Sequence, residues 1–243
     1  MAGCSGARMS RMSPSAVRRS LIFDADDTLW ENNVLFERVV EDYLDWLAHP
    51  TLDRAAIRAI LGEIEAVNTK INGYGATAFL HNLGQTFQRL HQRPVSEVEH
   101  REIETLAAAL LRHDIELMPS VVQVLEELGA RHDLYLLTKG EAKEQARKVQ
   151  ASGLAQHFKA VHIVPEKDVQ VYLAVTAEHR LIPEATWMIG NSPKSDILPA
   201  REAGLNAVYL PHQSAWILEH SDLDPGDDRV LRLTTLSGLL QYF

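Results

Sequence analysis

The chain has 243 residues, 46% hydrophobic and 23% charged, which suits one large globular domain or a core with a smaller module. No run approaches the ~18 uninterrupted apolar residues of a membrane span, and a net charge of −9 argues against holding nucleic acid on a basic face. The single cysteine, Cys4, excludes an intrachain disulfide framework and a cysteine zinc ribbon, and favours a reducing compartment, here the cytoplasm.

Residues 1–20 differ from the rest. They carry Arg8, Arg11, Arg18 and Arg19 and no acid, leaving 20 bases against 33 acids in the remainder. An Arg- and Ser-rich start without an apolar segment resembles a transit peptide in composition; the plainer reading is a disordered extension, or a start placed ahead of Met9 or Met12. From Leu21 a short apolar run, Leu21-Ile22-Phe23, ends in Asp24-Ala25-Asp26-Asp27-Thr28 and predicts a buried strand running into a polar loop. Residues 34–112 show no strand pattern. Apolar positions recur there at helical spacing in four groups, from Leu35 to Leu47, Ile57 to Ile71, Phe79 to Leu90 and Ile103 to Leu110. The breaks fall at Pro50, at Gly73-Tyr74-Gly75 and at Pro94, where Ser96 and Glu99 form a capping-box start. Tyr74 reads first as part of a plain turn and second as a tip that touches substrate.

After Pro119 the rhythm becomes helix 121–128, strand 134–137, helix 141–152, strand 161–164, helix 168–180, strand 187–189, helix 195–203 and strand 207–210. A last apolar stretch, 230–233, suggests an edge strand before a C-terminal helix. Alternation of this kind predicts an α/β fold, a doubly wound parallel, Rossmann-like sheet with right-handed crossovers and a four-helix module inserted after the first strand. The expected division is a core of 21–33 and 114–243 with a helical module of 34–113.

Ligands of an open parallel sheet bind beyond the carboxyl ends of its strands. Those ends offer Asp24 and Asp26, then Thr138, then Lys167, then Asn191, Ser192 and Asp196. Asp24 and Asp26 stand two apart on extended chain, so both face one side; such a pair suits a nucleophile beside a general acid/base with a divalent cation between them. The competing reading is an acidic turn in which Asp27 or Thr28 caps the next helix. Thr138 offers a hydroxyl for a phosphoryl oxygen, or an N-cap for the helix from 141. Lys167 is a cation able to balance Asp24, whereas Lys159 sits at the wrong end of its strand. The corner Gly190-Asn191-Ser192 and Asp196 supply oxygen ligands suited to Mg²⁺, or else a polar turn with an acid in a first helical turn.

Together, Asp24-x-Asp26-x-Thr28, Thr138, Lys167 and Gly190-Asn191-Ser192-x-x-x-Asp196 resemble the four ordered motifs of the haloacid dehalogenase-like (HAD) hydrolase superfamily over about 20–212. The helical module matches the position of that family's C1-type cap. The resemblance implies Asp24 as a nucleophile forming an aspartyl-phosphate and Asp26 as acid/base. It further implies phosphoryl binding by Thr138 and Lys167, and Mg²⁺ held by Asp24, the Asp26 carbonyl, Asn191 and Asp196. Two positions depart from the pattern: Asn191 stands where a metal-binding Asp is usual, and Lys139 follows Thr138, adding a cation beside the substrate or facing solvent. The family's dehalogenases lack the second Asp, so Asp26 favours a phosphatase acting on small phosphorylated metabolites. Rival readings are a phosphomutase, another hydrolase of this type, or a binding protein with a weakened metal site. A receiver domain would have no eighty-residue insert, and a dinucleotide enzyme would need a GxGxxG that is missing.

Overall fold

The computed structural model describes residues 18–112, 115–214 and 216–243; the expectation for the N-terminal extension concerns residues 1–20 and lies almost wholly outside them. Six parallel strands form the central sheet: β1 (Ser20–Phe23), β4 (Asp133–Lys139), β5 (Val161–Val164), β6 (Thr186–Gly190), β7 (Asn206–Tyr209) and β8 (Val230–Arg232), in the order β5-β4-β1-β6-β7-β8. The short β2 (Trp30–Glu31) and β3 (Glu116–Leu117) pair antiparallel where the chain leaves and rejoins this sheet.

The period-2 alternation of each strand decides what lies on each face. Leu21, Phe23, Leu134, Leu136, Ile189 and Val208 point into one cluster, with Val121, Val124, Leu125 and Leu128 of α6 (Val121–Gly129), Val149 of α7 (Ala142–Ser152) and the C-terminal residues Leu236, Leu239 and Phe243. Ile22, Tyr135, Leu137 and Met188 point the other way, onto Tyr172 and Val175 of α8 (Val169–Glu178) and Ala200 and Ala203 at α9 (Leu198–Glu202). Both faces are covered, which is why the strands read as unbroken apolar runs. This is an α/β, Rossmann-like fold, and β1 lies where the strand order reverses.

Between β2 and β3 the chain forms α1 (Asn33–Leu47), α2 (Arg54–Asn72), α3 (Ala76–His91), α4 (Glu97–Leu106) and α5 (Ala108–Arg112). They share an apolar cluster separate from the sheet's, centred on Tyr43, Ile57, Leu61, Phe79, Leu83 and Ile103, and the Tyr43 hydroxyl donates to the Leu83 carbonyl at 2.9 Å. Four helices are expected here and five segments are observed, because the chain kinks at Ala107. The capping box at Ser96 and Glu99 is present.

Two further expectations are corrected near the C terminus. The predicted helix 195–203 is split: Pro193–Ile197 is a π-turn, in which the Ile197 N–H reaches back to the Ser192 carbonyl, and only Leu198–Glu202 is α-helical. Pro199 has no N–H to donate, so the wider turn loses nothing there. The expected C-terminal helix is a 3₁₀ segment, Leu236–Gln241.

Candidate active site

The carboxyl ends of β1, β4 and β6 open into a cavity of about 450 Å³, roofed by the inner faces of α1, α2 and α3. Asp24, Asp26, Thr138, Lys139, Lys167, Asn191 and Asp196 all line it. The extended chain expected from Asp24 to Asp26 gives way to a turn, directly after a strand that ends where the apolar run predicts. β1 stops at Phe23, the Ala25 carbonyl accepts the N–H groups of Thr28, Leu29 and Trp30, and Asp27 turns to φ 59°. Asp24 and Asp26 therefore face one cavity but hold different partners.

Asp24 is buried, held to β6 by its N–H on the Ile189 carbonyl at 2.9 Å. Its Oδ1 pairs with the Lys167 ammonium and its Oδ2 accepts from the Thr28 hydroxyl at 2.9 Å. Lys167 also donates to Asp196 Oδ1 at 2.7 Å, so one buried ammonium serves two buried carboxylates. Burial and the charge of Asp196 push Asp24 up to about 7, against the lowering effect of Lys167, while the paired acids hold Lys167 well above the usual ammonium range. Lys159 is at the far end of the sheet, paired with Asp133 at 2.8 Å.

Asp26 accepts from the Trp30 indole at 2.7 Å, from Gln145 at 2.9 Å and from Lys148 at 3.1 and 3.2 Å. Asp27 takes up the capping role: its Oδ1 accepts the N–H groups of Asn32 and Asn33 at the start of α1. Thr138 is no helix cap, since Glu141 caps α7; its hydroxyl accepts from Gln145 at 2.6 Å, 1% exposed beside the cavity.

At the β6 corner, Asp196 Oδ2 accepts the Ser192 N–H at 2.9 Å, and its carboxylate passes so close to Gly190 that a Cβ there would overlap it. That contact accounts for the glycine. The Asn191 side-chain oxygen lies 3.4 Å from the Thr28 hydroxyl that serves Asp24. Asp24 and Asp196 thus meet on one buried lysine, with the Asn191 oxygen beside the Thr28 hydroxyl that serves Asp24; two carboxylates on one ammonium leave a net negative charge in a buried place, which is the environment a hard divalent cation relieves. Among the described residues, the three-residue clusters of His and acid lie elsewhere, at Asp27, Glu31 and His212 and at His162, Glu178 and His179.

Lys139 lines the cavity and is largely, not wholly, buried. Its ammonium donates to Glu219 at 2.5 Å, Ser195 at 2.8 Å and Glu166 at 3.3 Å, and lies 4.6 Å from the centre of the Tyr74 ring. Tyr74 is more than a turn residue: its hydroxyl donates to Glu166 at 2.8 Å and its ring meets Trp216 edge-on. Sequence reasoning missed Gln145, Lys148, Glu144, Trp216 and Glu219. The first three share one face of α7, a signal visible only once that face is known to look at Asp26.

The model of the haloacid dehalogenase-like hydrolases matches residues 19–204, more than half of the chain and the whole span of the motif residues above. The chain belongs to the haloacid dehalogenase-like hydrolases. A haloacid dehalogenase-like family hydrolase from Xanthomonas campestris superposes with a TM-score of 0.78 at 26% identity, over 93% of this chain and 94% of that one. The L-2-haloacid dehalogenase of Xanthobacter autotrophicus shares the fold at a TM-score of 0.62 and 17% identity, covering 93% and 98%. A phosphoserine phosphatase of Thermus thermophilus is 33% identical over 105 residues, 41% of this chain and 42% of that relative. This hydrolase has, among its described residues, no helix long and apolar enough to cross a membrane.

Proposed function

We propose that this hydrolase cleaves phosphate monoesters of small metabolites, with Mg²⁺, through an aspartyl-phosphate on Asp24. The observation that carries this reading is the second carboxylate: Asp26 lies in the same cavity as Asp24, oriented by Trp30, Gln145 and Lys148. Carbon–halogen cleavage has no leaving-group oxygen to protonate, whereas an alkoxide does. An Asp24 oxygen attacks phosphorus and the ester P–O bond breaks. Asp26 delivers a proton to the departing oxygen and then takes one from the water that opens the aspartyl-phosphate. Lys167 holds Asp24 in place and neutralises charge on the phosphoryl group, and Thr138 and the Lys139 network border the same space. Asp24, Asn191 and Asp196 would hold the Mg²⁺, which supplies positive charge to the transferring group when bound.

The segment 34–113 acts in this reading as a cap over the core of 21–33 and 114–243, excluding water from the cavity during transfer. The partial match to a phosphoserine phosphatase supports a small phosphorylated substrate. A screen over metabolite phosphate esters, with Mg²⁺ and with EDTA, tests the proposal: phosphate release from at least one ester, abolished by EDTA, is expected. Release of halide from haloacids with no phosphatase activity would replace it with the dehalogenase reading.

A further inference from the structure

The inner wall of the cavity, across from Asp24, contains a carboxylate that the chemistry above does not use. Residues Arg58, Leu61, Gly62, Glu65 and Thr69 fall on one face of α2 and line the cavity, with Glu37 from α1 and Trp216 from the loop after β7. Arg58 is engaged by Glu37 at 2.9 Å and by Glu41, so its charge is already matched. The other cations of the cavity are likewise taken: Lys167 by Asp24 and Asp196, Lys148 by Asp26, Lys139 by Glu219. Glu65 is different. Among the described residues no lysine or arginine pairs with it, and burial together with the nearby charge of Glu37 pushes it up to about 7, against the lowering effect of a hydrogen bond from the Trp216 side chain. A carboxylate so placed is satisfied by a cation that arrives with the ligand. Trp216 lies against Glu65, and Phe36 and Phe79 line the same cavity; an ammonium is favoured near aromatic faces where an anion is not.

Resting on the phosphatase reading, we infer that the preferred substrates are phosphate monoesters whose alcohol part carries an ammonium group, with Glu65 as the residue that selects it. The phosphoryl end lies at Asp24 and Lys167, and the ammonium reaches across the cavity to Glu65. A neutral polyol ester gains nothing at Glu65, and an ester with only a carboxylate in its alcohol part is repelled by it.

Binding to the Asp24→Asn protein separates this inference from catalysis, since no turnover is needed. Calorimetric titration with 2-aminoethyl phosphate, glycerol phosphate and phosphoglycolate in the same Mg²⁺ buffer is expected to rank them in that order. The first should bind at least about tenfold more tightly than the second, or about 1.4 kcal/mol. Adding Glu65→Gln is expected to bring the ratio of the first two close to one, and Glu65→Asp to keep part of it. Equal binding of the amine and polyol esters to the Asp24→Asn protein overturns the amine selectivity and leaves the phosphatase reading standing. A preference that survives Glu65→Gln overturns the role of Glu65. Failure of all three esters to bind overturns the phosphatase reading and this inference with it.

Discussion

At the level of single residues, the proposed function makes measurable predictions at Asn191 and Glu65. An amide at 191 offers one neutral oxygen where a carboxylate would add a negative charge, and oxygen-ligand sites tune affinity through charge count. Asn191→Asp is therefore expected to lower the Mg²⁺ concentration for half-activation, read by titrating both proteins. An unchanged midpoint removes Asn191 from the metal's surroundings. Glu65 makes a prediction about stability. Its carboxyl is raised from 4.5 to about 7 in the folded state, so the native protein holds that proton more tightly than the unfolded chain does. The stabilisation is full below about pH 4.5 and is lost as pH rises through about 7. Glu65→Gln is thus expected to stabilise the ligand-free protein above pH 7, by on the order of 1–3 kcal/mol for a half-buried group, with the gain vanishing below about pH 4.5. Denaturant melts at the two pH values check it; a gain of the same size at both contradicts the assignment.

Among the elements, α7 connects Asp26 to the helical layer. Its residues Glu144, Gln145 and Lys148 share one face: Gln145 and Lys148 hold Asp26, and the Glu144 carboxylate lies 3.7 Å from Lys148 and accepts the Ala76 N–H at the start of α3 at 2.9 Å. Lys148→Met frees Asp26 to swing. The expected loss is about 10–100-fold in kcat on alkyl phosphates, part of the ~10²–10⁴ that general acid/base work supplies, with a smaller loss on aryl phosphates, whose leaving group needs no proton. Lys148→Arg is expected to recover part of it. An equal loss on both substrate classes would mean that Lys148 merely supports the fold. None of this was legible in the sequence, where 141–152 reads only as a helix between two strands. What its residues touch is decided by β1 lying beside β4 and by α3 arriving from more than sixty residues away. The strand ends, by contrast, were legible. Apolar runs ending in Asp24, Thr138 and Gly190-Asn191 need only strand alternation and parallel order to bring those residues together. The π-turn at Pro193–Ile197 was not, since helical spacing alone cannot register one extra residue in a turn.

Across the molecule, the described residues form two apolar clusters on the faces of a sheet and a third among the inserted helices, with polar contacts between the layers. The contacts that join the layers include Glu144 to Ala76, Tyr74 to Glu166, Tyr74 against Trp216, and Asn33 to the Ser214 carbonyl. Gly75 sits among them at φ 111°, and a Cβ there would overlap the Glu144 carboxylate. Gly75→Ala adds a left-handed conformation that costs a non-glycine residue about 1–3 kcal/mol, as well as a clash at the junction. It is expected to lower kcat/KM by about tenfold while the three clusters stay folded, since tenfold is about 1.4 kcal/mol of that strain. Activity and far-ultraviolet circular dichroism together check this. Unimpaired kcat/KM would show that the layers need not meet in this way for turnover.

The central claim is that Asp24 is the atom-donating nucleophile, and it is tested most directly by trapping. Rapid acid quench during turnover of a phosphate ester, followed by peptide mass spectrometry, is expected to find one phosphoryl group on the peptide containing Asp24, and none in Asp24→Asn, which is expected to be inactive. Steady turnover with no label on that peptide, or undiminished activity in Asp24→Asn, would contradict the account.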